Sequence, residues 1–137
     1  MSTSTIADLT QRTGLTLVTD WEPDLEIPVL TGIQRQGDVI VVPAKAAAST
    51  PVPPEGCPVV RGESGGNTHA IYAEGGDVRC DTRAASVRDL TVATLSVPDG
   101  ATAWLGHPEH AYLGIGPGTY EVRRQREQAE ELRVVAD

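Results

Sequence analysis

The side chains best suited to chemistry lie in two short glycine-containing stretches. Gly106-His107-Pro108-Glu109-His110 carries two histidines with a carboxylate between them, and Glu63-Ser64-Gly65-Gly66-Asn67-Thr68-His69 carries the third and last histidine of the chain. Imidazole is the commonest metal ligand and titrates near neutral pH. Residues three apart on an extended strand point to opposite faces, so His107 and His110 reach one site only if the chain bends between them. Pro108 supplies that bend, because its fixed φ favours a turn. His107, Glu109 and His110 then share a pocket, His69 adds a third imidazole from a neighbouring strand, and Glu63 is a further oxygen donor. Such a set holds a divalent transition metal, whether Zn, Fe, Mn or Ni. The same histidines and carboxylate also suit proton transfer without metal. The plain alternative is a polar turn whose rings hydrogen-bond to backbone carbonyls. These residues nominate a site and leave both the reaction and the existence of catalysis open. With no metal bound, Glu109 is expected to favour the protonated ring and lift His107 or His110 above its ordinary pKa of about 6.5.

A second constellation is basic. In Thr119-Tyr120-Glu121-Val122-Arg123-Arg124-Gln125-Arg126-Glu127, strand alternation puts Arg124 and Arg126 on the face of Tyr120 and Val122. If Val122 packs inward, these arginines line the interior or its mouth and pair with Glu109, Glu63, Glu127 or a bound anion. Otherwise the far half of the strand emerges into solvent with cross-strand ion pairs. Gly65-Gly66 is no phosphate loop, because no Lys-Ser/Thr follows it.

The elements that must position these residues read as strands. Residues 1–24 are expected to form an N-terminal arm, with a short helix over 5–13 capped by Ser4 or Thr5, carrying Ile6, Leu9 and Thr13 on one face, and ended at Gly14. Leu15–Thr19 reads as a strand and 21–24 as a turn. The all-β domain proper spans 25–137. A Gly37-Asp38 turn precedes Val39–Val42, four β-branched residues that predict a strand covered on both faces. A proline-rich exposed loop occupies 44–56. Strands follow at 57–61 and 67–73, the second with His69 inward beside Ile71. Glu74–Asp77 reads as a hairpin turn from which 78–81 returns. Leu90–Val97 changes alternation near Ala93, which predicts a bulge. Strands at 102–105, 119–127 and 132–136 complete a single small all-β barrel or sandwich.

Composition narrows the function classes. The 137 residues contain 19 acidic against 11 basic side chains, a formal charge of −8, which disfavours a sequence-blind grip on nucleic acid. No window approaches the roughly 20 apolar residues of a membrane helix, and the N-terminus lacks the pattern of a signal peptide. The expectation is a cytoplasmic protein with Cys57 and Cys80 reduced. Small β domains must pair or cover their edges, so the arm is expected to pair with the body or a neighbouring subunit, making a homo-oligomer. A non-catalytic interaction or assembly module of phage-like kind, acting through oligomerisation or a protein partner, is the alternative to a metal site.

Several motifs together resemble a family of small bacterial and phage proteins without established activity. They are Gln36-Gly37-Asp38-Val39, Gly62-Glu63 with His69, and His107-Pro108-Glu109-His110 leading to Gly118-Thr119-Tyr120 and Arg124-Gln125-Arg126-Glu127. The resemblance covers residues 34–137 and implies a shared fold and site. The chain departs from that pattern at Asn67, where the family's first central histidine would stand. Histidines on adjacent strands beside Gly-x-Tyr turns are also similar to cupins in architecture, although the cupin motifs do not match in order or spacing.

Overall fold

The computed structural model describes residues 4–61 and 67–125. The expected strand at 132–136, Glu63 and Arg126 lie outside them. The chain opens with β1 (Ser4–Thr5) and α1 (Ile6–Thr13). Thr5 and Asp8 cap the helix reciprocally, each side chain meeting the other's backbone N–H, and Gly14 closes it in the left-handed conformation. This satisfies donors and acceptors that a helix end leaves orphaned. Ile6 and Leu9 are buried, each burial stabilising by roughly 1.5–3 kcal/mol.

The strands that follow are β2 (Glu26–Ile27), β3 (Val29–Leu30), β4 (Gln34–Gln36), β5 (Val39–Pro43), β6 (Cys57–Val60) and β7 (His69–Glu74). After them come β8 (Arg79–Thr82), β9 (Thr91–Val97), β10 (Thr102–His107), β11 (Ala111–Ile115) and β12 (Gly118–Arg124). They form a β1–β2 ribbon and two five-stranded sheets, one ordered β3-β11-β10-β7-β6 and the other β4-β5-β12-β9-β8. Among the described residues only β3 and β11 pair in parallel. The sheets pack face to face around one cluster, in which Ile71, Ala103, Leu105 and Ile115 from the first meet Val39, Val41, Leu95, Tyr120 and Val122 from the second. The architecture is therefore the sandwich of the two expected alternatives, not the closed barrel.

The first sheet is covered on both faces. Ala103 and Leu105 of β10 face the sandwich core, while Trp104 faces a second cluster with Ile6, Leu9, Ile27, Ala111 and Tyr112. α1 is the lid of that second cluster. The Tyr112 hydroxyl lies 3.1 Å from Thr10 Oγ1 and 3.2 Å from Thr13 Oγ1. Trp104 Nε1 donates to Glu74, which also pairs with Arg12.

Three expectations change. Leu15–Thr19 forms no strand; Val18 N–H instead donates to the Pro108 carbonyl and Thr19 Oγ1 to that of Glu109. Val39 and Val41 are buried, but Ile40 and Val42 only partly, because the second sheet turns its outer face to solvent. Glu74–Asp77 is no hairpin turn: β7 pairs with β6 and β10, β8 with β9, so this corner carries the chain from one sheet to the other. The proline-rich loop covers an edge. Val52 N–H donates to Val78 O, Cys80 N–H to Thr50 O, and Pro51 bridges to Arg79, shielding β8 from edge-to-edge pairing. The expected bulge is present, since Val122 opposes Ala93 and Arg123 opposes Thr91, leaving Val92 extra.

Removing the Tyr112 hydroxyl by Tyr112→Phe is expected to cost about 1 kcal/mol. Amide exchange should quicken first in α1 and leave β9 and β12 unchanged; equal loss of protection across both sheets would contradict this view of the helix as a separately held lid.

Candidate functional site

The three histidines converge at one end of the sandwich. His69 begins β7, His107 ends β10, and His110 closes the turn into β11. Ring centroids lie 4.2 Å apart for His69 and His107, 4.7 Å for His107 and His110, and 6.1 Å for His69 and His110. The bend at Pro108 thus brings together rings that a straight strand would have separated. His69 is 4% exposed and His107 is also buried, whereas His110 sits at the solvent edge.

The other wall is Gln36-Gly37-Asp38, at the turn between β4 and β5. Sequence reasoning saw these residues as a motif and a turn and gave them no role in the site. Gln36 is buried and crosses between the sheets: its Nε2 donates to Leu105 O at 2.9 Å and to Ala111 O at 3.3 Å. Those two carbonyls fix the amide, so Oε1 must be the atom facing His69 Nδ1 at 2.9 Å. Nδ1 therefore carries a proton and donates it, and in the neutral ring Nε2 holds the free lone pair. That Nε2 faces Asp38 Oδ1 at 3.5 Å. Gly37 has φ +60, and a Cβ there would stand 2.9 Å from His110 Nε2; glycine is what lets the turn and the ring share the space.

The turn residues are held differently from the expectation. Glu109 is exposed and accepts from Asn67 Nδ2 at 2.6 Å. Its backbone N–H donates to His107 Nδ1 at 3.0 Å, so neutral His107 carries its proton on Nε2. Arg124 stands half-exposed at the mouth, with Nε 3.5 Å from Asp38 Oδ2. Its partner among the described residues is Asp38 and not Glu109, Glu63 and Glu127 lying outside them, and so open a pair adds little stability. Ala111, just after His110, is held at φ +63, a left-handed backbone that costs a residue with a side chain roughly 1–2 kcal/mol.

Electrostatics reverse the expected titration. Burial, reinforced by His107, lowers the pKa of His69 from 6.5 to about 4, with Asp38 opposing. Burial and the neighbouring His110 also lower His107, outweighing the raising influence of Glu109. His69 and His107 are thus neutral at physiological pH. One ring has a fixed tautomer and a lone pair aimed at a carboxylate. Two acceptors facing each other repel unless a cation lies between them. No group of three or more His, Cys, Asp or Glu side chains among the described residues is disposed to hold a metal ion; the donors that face each other are two, His69 Nε2 and Asp38 Oδ1.

A family model described as a domain of unknown function (DUF8820) matches residues 35–125, a span that includes every side chain of this site from Gln36 to Arg124. No curated protein and no solved structure matches the chain. No helix among the described residues is long and apolar enough to cross a membrane.

The lowered pKa of His69 has a sign in stability. Between about pH 6.5 and 4 the unfolded ring binds a proton that the folded ring refuses, so stability is full above 6.5, falls with acid, and levels near 4. The loss is on the order of 3 kcal/mol. Urea melts from pH 7.5 to 4.5 should show it, and His69→Gln should flatten the profile; an unchanged slope in that variant would refute the assignment.

Proposed function

We propose, for a chain that belongs to the DUF8820 family of domains of unknown function, that this end of the sandwich binds a divalent transition metal ion of the Zn, Fe, Mn or Ni class. His69 Nε2 and Asp38 Oδ1, which face each other at 3.5 Å, are its two protein ligands. The observation that carries the reading is the setting of His69. A metal needs a neutral imidazole, and burial keeps this ring neutral down to about pH 4. A ligating histidine ordinarily donates its other N–H to an oxygen acceptor that fixes the tautomer, and Gln36 Oε1 is that acceptor. His107 is a wall of the site rather than a ligand, because its Nδ1 lone pair is engaged by Glu109 N–H. Glu109 is engaged by Asn67 and serves to hold the turn.

Calorimetric titration of chelator-treated, tag-free protein with Zn²⁺ and with Ni²⁺ tests this. One equivalent per chain is expected, with affinity falling at least tenfold in His69→Ala and in Asp38→Asn, as for a lost ligand or its close support. Binding that survives both substitutions, or no binding at all, would reject the site.

A second reading, assembly through a homo-oligomeric contact, is favoured by Leu30 at 48% and Ile33 at 70% exposure. They flank the corner where β3 and β4 form the two sheet edges on one side of the sandwich. A contact there would cover both apolar side chains and the free edge of β3. Light scattering should then give a mass above the 14.5 kDa of one chain, reverting on Ile33→Lys; a monomer at high micromolar concentration would dismiss this reading.

A further inference from the structure

The side of the sandwich away from β3 and β4 is bounded by β6, the edge of the first sheet, and β8, the edge of the second. Cys57 opens β6, paired with Ile71 of β7, and Cys80 lies in β8, paired with Leu95 of β9. Both are free thiols, and both pack in the cluster that joins the two sheets. Cys57 is among the groups that act directly on the Cys80 thiol, so the two lie close across the gap between the sheets. The chain between them is long: from Cys57 it runs through β6 and β7, round the corner at Gly75-Gly76, and into β8. A pair of thiols close together across two edge strands, at the ends of such a loop, is placed to form a bond that joins the sheets.

We propose that Cys57 and Cys80 are a thiol pair that a small-molecule disulfide oxidises to an intramolecular disulfide, bonding the two sheets along this side. The roles of the two thiols differ. Cys57 is only half-buried, and it meets the oxidant. Cys80 is 2% exposed, and burial, with Cys57 beside it, raises its pKa well above the ordinary value; it stays a thiol and does not react first. In the first step the Cys57 thiolate attacks one sulfur of the small disulfide, forming a mixed disulfide and expelling one thiolate. In the second, Cys80 gives up its proton and its sulfur attacks that of Cys57, forming the Cys57–Cys80 bond and expelling the second thiolate. Two protein thiols are oxidised and one small disulfide is reduced to two thiols, so electrons and protons balance. Because Cys80 resists ionisation, the second step is the slower, and the mixed disulfide at Cys57 accumulates before it resolves. The bond would restrict the unfolded chain more than the folded one, in which both thiols already pack in one cluster.

The test uses the full chain, reduced and then incubated at neutral pH, far below its melting temperature, with oxidised glutathione. The mixture is quenched with an alkylating agent and followed by mass spectrometry. The expected course is an early gain of one glutathionyl group at Cys57. Loss of that group follows, with a final mass two hydrogens below the starting protein and a peptide linking Cys57 to Cys80. The oxidised form should melt several degrees higher, returning to the reduced value with dithiothreitol. Cys80→Ser, which keeps the size of the side chain, should stop at the glutathionyl adduct, and Cys57→Ser should leave the buried thiol unreacted. A stable adduct in the wild-type chain, disulfide-linked dimers in place of the internal bond, or an oxidised form that melts lower would each overturn the proposal.

Discussion

One amide ties the two sheets to the site. Gln36 belongs to the second sheet, yet every hydrogen bond of its side chain goes to the first: two to backbone carbonyls of β10 and β11, one to the ring of His69. A buried amide is tolerable only when its donors and acceptor are engaged, so the sheets must approach in the single register that satisfies all three. The same requirement orients His69. Packing and site geometry are therefore one constraint: shifting one sheet on the other would leave an amide unsatisfied in the core and free the histidine to turn.

The layering explains why the histidine turn is well held although it lies at a loop. β10 is buried on both faces, by the second sheet on one and by α1 with its aromatic cluster on the other. The turn that follows is then strapped from outside by the segment after α1, through Val18 and Thr19 to the carbonyls of Pro108 and Glu109. Glycine at 114 belongs to the same packing, since a Cβ there would stand 2.4 Å from the Pro28 carbonyl and 2.8 Å from the Trp104 ring. The arm is thus a structural layer and a brace for the site.

Local chemistry was legible in the sequence, and long-range pairing was not. The ends of α1 were readable because Thr5 and Gly14 act within one turn of their own helix; the part of Asp8 in the cap was not read. The bulge at Val92 showed because it shifts alternation in place, and the inward side of His69 followed from its phase with Ile71. The strand read at Leu15–Thr19 failed for want of a partner strand, a fact about distant chain. β11 went unread because Gly114 and Gly116 look like loop, when one of them marks where two backbones nearly touch. Asp38 was hidden for the same reason: its meaning depends on which turn faces His69, and nothing near residue 38 encodes that. The fields were misjudged likewise: Glu109 does act to raise His107, but burial and His110 outweigh it, and burial is set by distant chain.

The position of β12 has a consequence for how the chain comes to be folded as it is made. β12 is the middle strand of the second sheet, with β5 on one side and β9 on the other, and it sets Val39 beside Arg124. The residues of the β4–β5 and β8–β9 pairs are synthesised before β12, and neither pair can join the other through β12 until Arg124 has left the ribosome. Until then the apolar faces of β5 and β9 have no sheet between them, and the edges that β12 will fill stand open. Long-range closure of this kind is slow, and open edges invite foreign strands. The interval between synthesis of β5 and of β12 is when this protein is most exposed to aggregation, and the stretch in which a holding chaperone would matter most.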